Sequence, residues 1–223
     1  DFNTILNENP RHFDALLGAG IYLWEQEEYN DAHTYFERAL QVNATSTMAI
    51  YRLARNHHKL QQNEEMLPLY ETLLNEHPER AHYRLQYGDL MINLENYEEA
   101  KIFIQHYIEK REDDPRGWGM LAHCYRKAKK LQLAEKYCNK ALQIEPEHMQ
   151  SLVHSARIAH DLGDYFLAEE RWALVLKIEP NNYAALMGTA RACFKRGDHR
   201  TGQKILEKLI HTSQHRNRIW PYI

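Results

Sequence analysis

Shifted against itself by 34 residues, the chain matches in phase over six units without an insertion or deletion. A period of that length marks a repeated supersecondary unit, which cannot bury its own apolar face and must stack on its neighbours. Units begin at Phe13, Thr47, Ala81, Pro115, Met149 and Tyr183. The eighth place of every unit is small: Gly20, Ala54, Gly88, Ala122, Ala156 and Ala190. Twelve residues later come Ala32, Met66, Ala100, Ala134, Ala168 and Gly202, small in five of the six. Short side chains in fixed rows let two helices cross closely. Larger residues fill the space around them, in one row at Leu16, Ile50, Arg84, Trp118, Leu152 and Leu186, in another at Phe36, Tyr70, Ile104, Cys138, Trp172 and Leu206. Within each half-unit the apolar places recur at i, i+3, i+4 and i+7, which predicts two amphipathic helices per unit. No stretch alternates with period two, so strands are excluded.

The turns agree with this reading. Pro78, Pro146 and Pro180 close three units at one place, and Pro10 takes that place ahead of the first full unit. Proline cannot continue a helix and so ends the second of each pair. Polar turns separate the two helices, as at Glu27–Asn30, Leu94–Tyr97 and Gly163–Tyr165, with Tyr29, Tyr97 and Tyr165 in one register. The expected organisation is therefore the end of a preceding repeat's second helix over 1–12, then six tandem units over 13–216. Residues 217–223, with Trp220 at the large-residue place, would start a further repeat or form a C-terminal extension. The opening Asp1-Phe2-Asn3-Thr4 holds neither a signal peptide nor a starting methionine, and reads as a mature product or excised fragment.

The fourth unit carries Trp118, Leu121, Ala122, Tyr125, Ala134, Ala141 and Pro146; the fifth carries Leu152, Ala156, Gly163, Tyr165, Ala168, Trp172 and Pro180. In these residues the chain resembles the tetratricopeptide repeat family over nearly its whole length. Arg84 departs from the pattern at the large apolar place, and Glu112 and Gln214 replace the closing proline. The resemblance implies an all-α fold, a right-handed superhelical solenoid of antiparallel helix pairs. It also implies that the first helix of each pair lines a concave wall, and that the protein holds other proteins.

Charge sharpens that expectation. The net charge of −3 divides into +7 on the first helices and −10 on the second helices with their loops. A ladder of Arg55, Asp89, His123, Arg157 and Arg191 recurs every 34 residues on the first helices. Leu17, Tyr51, Leu85, Val153 and Met187 lie beside it. The candidate peptide-binding residues are Tyr51, Arg52, Arg55, Lys59, Arg116, His123, Arg126, Lys127, Arg157, Arg191 and Lys195. The planar fork of arginine grips a carboxylate at two points, so the expected ligand is an acidic or amphipathic segment of a partner protein. One subset of the family clamps the C-terminal carboxylates of heat-shock chaperones with Lys and Asn on successive first helices. Leu17, Ile21 and Arg52 occupy that wall here, so chaperone-tail binding is not expected. Two other readings are a homo-oligomer that assembles through uncapped repeat ends and the docking arm of a larger enzyme. Nucleic acid is not an expected partner, because few aromatics interleave with the arginines and the remaining surface is acidic.

Chemistry is otherwise sparse. The 14 histidines include His57-His58, His123-Cys124 and His154 with His160, and none has the spacing of a helical zinc site, so no metal or cofactor is expected. Those histidines would titrate near neutral pH and make the wall pH-sensitive. There is no phosphate-binding glycine loop or nucleophile elbow, and the chain is not expected to be an enzyme. No apolar run reaches the roughly 18 residues needed to span a bilayer, so direct membrane insertion is not expected. Cys124, Cys138 and Cys193 have no metal-type spacing and read as small buried hydrophobes. Their odd number fits a reducing, cytoplasmic setting better than a periplasmic or envelope-associated one.

Overall fold

The computed structural model describes residues 2–211, with side chains through Leu209. Gln214, Trp220 and the expected start of a further repeat lie outside the described residues. Every regular element within them is an α-helix. α1 (Phe2–Glu8) leads into α2 (Phe13–Glu25), α3 (Tyr29–Val42), α4 (Thr47–Leu60), α5 (Asn63–Glu76), α6 (Ala81–Asn93) and α7 (Tyr97–Lys110). α8 (Pro115–Lys127), α9 (Leu131–Ile144), α10 (Met149–Asp161), α11 (Tyr165–Ile178), α12 (Tyr183–Arg196) and α13 (His199–His211) follow. The fold is all-α, an array of helix pairs each closed by a turn too short for anything but an antiparallel partner.

That turn has one geometry throughout. Glu27, Gln61, Glu95, Lys129, Gly163 and Gly197, spaced by 34, all adopt the left-handed backbone region, with φ between 59° and 88°. Each follows a first helix. The next residue's N–H donates back five positions, as Glu28 N does to Leu23 O (3.0 Å), Lys130 N to Tyr125 O (2.9 Å) and Asp198 N to Cys193 O (2.9 Å). This Schellman-type closure satisfies carbonyls that the helix end leaves open. The first helices start on caps at an equally regular place. Ser46, Asp114 and Asn182 accept backbone N–H groups with their side chains, and the His12 ring accepts from Ala15 N at 3.2 Å.

The chain divides at Phe103/Ile104, inside α7, into two compact units. In the first, α2 packs on α3, α3 on α4, and α4 on α5, with Phe36 and Tyr70 buried between. Gly20 is the place where α2 passes over Phe36: an added Cβ would sit 2.7 Å from its ring. Burial of such a ring contributes on the order of 1.5–3 kcal/mol, so closeness at the small row is what the stack gains. In the second unit, Ala122, Ala134, Ala156, Ala168 and Ala190 are fully buried, while Trp118, Leu152, Trp172 and Leu186 fill the space around them. Here Gly188 is pressed against the Trp172 ring. Cys124, Cys138 and Cys193 are buried free thiols, and burial pushes Cys138 up to about 12, so it is a packing residue without nucleophilic character.

Candidate peptide-binding site

In the second unit the first helices form one layer: α8 packs on α10, and α10 on α12. Arg157 and Arg191 stand about one turn from the C-terminal ends of α10 and α12, and Arg126 stands in the last turn of α8. The three meet at a cleft of about 560 Å³. His160 and Asp161 complete its polar lining; Trp172, Tyr183, Ala184, Met187 and Gly188 provide an apolar floor. Asp161 is the one carboxylate lining the cleft, and it pairs with Arg126 at 2.8 Å. The lining thus holds three guanidinium groups and one carboxylate. Desolvation, followed by the neighbouring Arg126 charge, lowers the Arg157 pKa, the response expected of a cation held in a part-buried basic site.

His123, the ladder residue on α8, does not line this cleft. Its ring packs against His154 with centroids 4.7 Å apart. Burial, then Arg126, Lys127 and Arg157, depresses His123 to about 4. His154 is more deeply buried and is held well below the usual histidine range, first by desolvation and then by His123. Both rings are therefore neutral at neutral pH. The expectation that this wall would titrate there is corrected for these two residues: arginine supplies its charge.

The first unit builds a different site. A cleft of about 300 Å³ is lined by Trp24, Arg55, His58, Lys59, Met66, Tyr70, Gln86 and Asp89. Arg55 lies over the Trp24 ring at 4.7 Å and Lys59 at 5.6 Å. Stacking of this kind holds long side chains in place while leaving their charge available. Tyr70 Oη donates to Gln86 (3.3 Å), whose amide donates to Tyr51 Oη (3.1 Å), so Tyr51 is fixed by a chain of hydrogen bonds. Asp89 sits among these cations, and burial raises its pKa. This cleft carries charge of both signs, whereas the second unit's cleft is predominantly basic.

The remaining candidates separate. Arg116 is clamped to Asp114, Nη2 to Oδ2 at 2.6 Å and Nε to Oδ1 at 3.0 Å, at the start of α8. Asp114 also accepts from Tyr107 Oη at 2.6 Å, and these bonds, that from Arg116 first, hold its carboxyl well below the usual range. Arg116 lines a loop recess with Arg111, Asp113 and His148, away from the arginine cleft. Arg52 is half-buried beside its helix, and Lys59, Lys127 and Lys195 are exposed on theirs. Trp172, Tyr183, Gly188 and Asp161 belong to the cleft without having been candidates. Trp172 and Gly188 are packing residues whose other edge reaches the cleft, and no charge or repeat position distinguishes that edge.

No group of three His, Cys, Asp or Glu among the described residues could hold a metal ion. No described helix is long and apolar enough to cross a membrane. Tetratricopeptide repeat profiles match residues 48–80, 67–124 and 115–148, and the helix pairs continue in the same phase on both sides. The chain belongs to the tetratricopeptide repeat family. TPR folds are scaffolds for protein–protein interaction and are typically non-catalytic. A TPR protein from Parabacteroides merdae superposes with a TM-score of 0.88 at 17% identity, covering 99% of this chain and 87% of that one. YrrB, a TPR protein with an unusual peptide-binding site, superposes with a TM-score of 0.56 at 18% identity, covering 83% and 95%. Among curated relatives, the protein O-mannosyl-transferase TMTC3 of Homo sapiens is 22% identical over 159 residues. That alignment covers 71% of this chain and 17% of TMTC3, so the chain spans less than a fifth of that relative.

Proposed function

We propose that this TPR array is a non-catalytic scaffold whose first-helix face binds an acidic, partly apolar segment of a partner protein, with the cleft of the second unit as the main anchor. The observation that carries the proposal is the meeting of Arg126, Arg157 and Arg191 at one cleft whose lining holds a single carboxylate, Asp161. A partner carboxylate between Arg157 and Arg191 would relieve their mutual repulsion and accept two-point hydrogen bonds. A large apolar residue beside that carboxylate would fill the floor made by Trp172, Tyr183 and Met187. The first unit's cleft, with Arg55, Lys59 and Asp89, would by itself take a segment of mixed charge. That YrrB, a relative in fold, has a peptide-binding site supports the general mode.

Exposed ion pairs contribute only about 0.2–1 kcal/mol each, so affinity needs several arginines together with a buried anchor. The test is fluorescence anisotropy with a labelled Glu-rich peptide carrying one Phe. The double variant Arg157→Glu/Arg191→Glu should bind at least about tenfold more weakly than wild type, with an unchanged melting curve. Arg116→Glu, at the loop recess, should bind as wild type does. Equal affinity in the wild type and the double variant would remove the cleft from the account.

A further inference from the structure

The repeat supplies its own control for what a solvent-facing position looks like, and α11 departs from it at three places. At the place held by Phe166 in α11, the other second helices carry Asn30, Glu64, Glu98, Gln132 and Arg200. At the place of Leu174 they carry Arg38, Thr72, His106, Lys140 and Lys208. Ala173 likewise stands where all the others are polar. Phe166 is 66% exposed, Leu174 49% and Ile178 42%, so these three side chains face outward and do not serve the core. Arg196 stacks over the Phe166 ring at 4.3 Å and leaves the rest of it open. The inward row of α11, Ala168, Trp172 and Val175, is buried as in its sister helices. The outer stripe is thus additional to what the fold requires.

Two charges interrupt the stripe, Glu170 and Lys177, and neither forms an ion pair among the described residues. They lie three and a half residues to either side of the midpoint between Ala173 and Leu174. Two copies of α11 laid antiparallel about that midpoint would place each Glu170 opposite a Lys177 of the second copy. Ala173 and Leu174 would then meet at the twofold axis, where the small alanine allows close approach. A parallel arrangement would set Glu170 against Glu170. The charge pattern is complementary to itself in one orientation only. We propose that the outer face of α11 is a self-association surface on which a second copy of this chain docks its own α11 in antiparallel orientation. This surface lies on a second helix and is separate from the first-helix cleft and from the ends of the array.

A 14-residue helix is about 21 Å long. One such pair covers less than the roughly 800 Å² per partner of a standard interface, so the dimer is weak and reversible. Sedimentation equilibrium of the full chain, from low micromolar to near-millimolar concentration, tests it. The wild type should show a concentration-dependent dimer, and Leu174→Glu should be monomeric throughout. Glu170→Lys should weaken dimerisation about tenfold, and Glu170→Lys/Lys177→Glu should restore it. All three side chains are solvent-facing, so unchanged melting curves confirm that each variant folds. A wild type that stays monomeric overturns the proposal, as does a dimer indifferent to Leu174→Glu. A dimer weakened by Glu170→Lys and not regained by the charge swap overturns the antiparallel arrangement.

Discussion

His123 and His154 sit against each other at the edge of an arginine cluster, and burial with those positive neighbours keeps both rings unprotonated. The consequence for stability has a definite sign. An unfolded chain takes up protons on these rings near pH 6.5, while the folded chain resists until about pH 4 at His123. Their contribution is fully present above pH 6.5 and is lost as pH falls from there toward 4. Urea unfolding between pH 7 and 4.5 should therefore show a shallower loss of stability in His123→Gln/His154→Gln than in the wild type. Equal slopes would mean that the rings are not held neutral. The sequence shows that these histidines are near arginines in the repeat register, but not that they are buried against one another. Arg116 shows the same limit from the other side. It reads as a groove cation by position, and only the structure reveals that Asp114 has captured it. Charges can be counted in a sequence; pairing depends on rotamers and on which turn of a helix faces which neighbour.

The helix pairs themselves were legible, because their causes are local and repeated. Small rows, apolar spacing and closing prolines recur with a 34-residue period and resemble the family's pattern. The turn between paired helices was only partly legible. Gly163 and Gly197 advertise a left-handed residue, but Glu27, Gln61, Glu95 and Lys129 adopt the same conformation with side chains that disfavour it. A non-glycine residue there costs roughly 1–2 kcal/mol, against the roughly 0.5–1 kcal/mol of extra chain entropy that glycine loses on folding. Replacing Glu27, Gln61, Glu95 or Lys129 by Gly should therefore stabilise the chain by about 0.5–1 kcal/mol each. Gly163→Ala should destabilise it by a similar amount. Thermal or urea unfolding checks both directions, and a loss of stability in the Gly variants would contradict the shared-turn geometry. The departure of α11 from its sister helices was also present in the sequence. It becomes informative once the structure shows that Phe166, Leu174 and Ile178 point outward.

Over the whole molecule, the first helices gather positive charge while the remainder carries the compensating negative charge, and the net value of −3 conceals this division. Within the second unit the structure concentrates that charge at a cleft with an apolar floor, and within the first it mixes arginine and lysine with Asp89. The regular ladder visible in the sequence is thus two unlike sites, because position 89 is acidic and position 123 turns toward His154 rather than the cleft. Recognition of a carboxylate next to a large apolar residue is the central claim, and an array of varied short peptides probed with the labelled full chain tests it most directly. Wild type should be retained on peptides that place Glu or Asp beside Phe, Leu, Met or Trp, and Arg157→Glu/Arg191→Glu should lose that preference. Retention without acidic enrichment, or an identical pattern for the double variant, would contradict it.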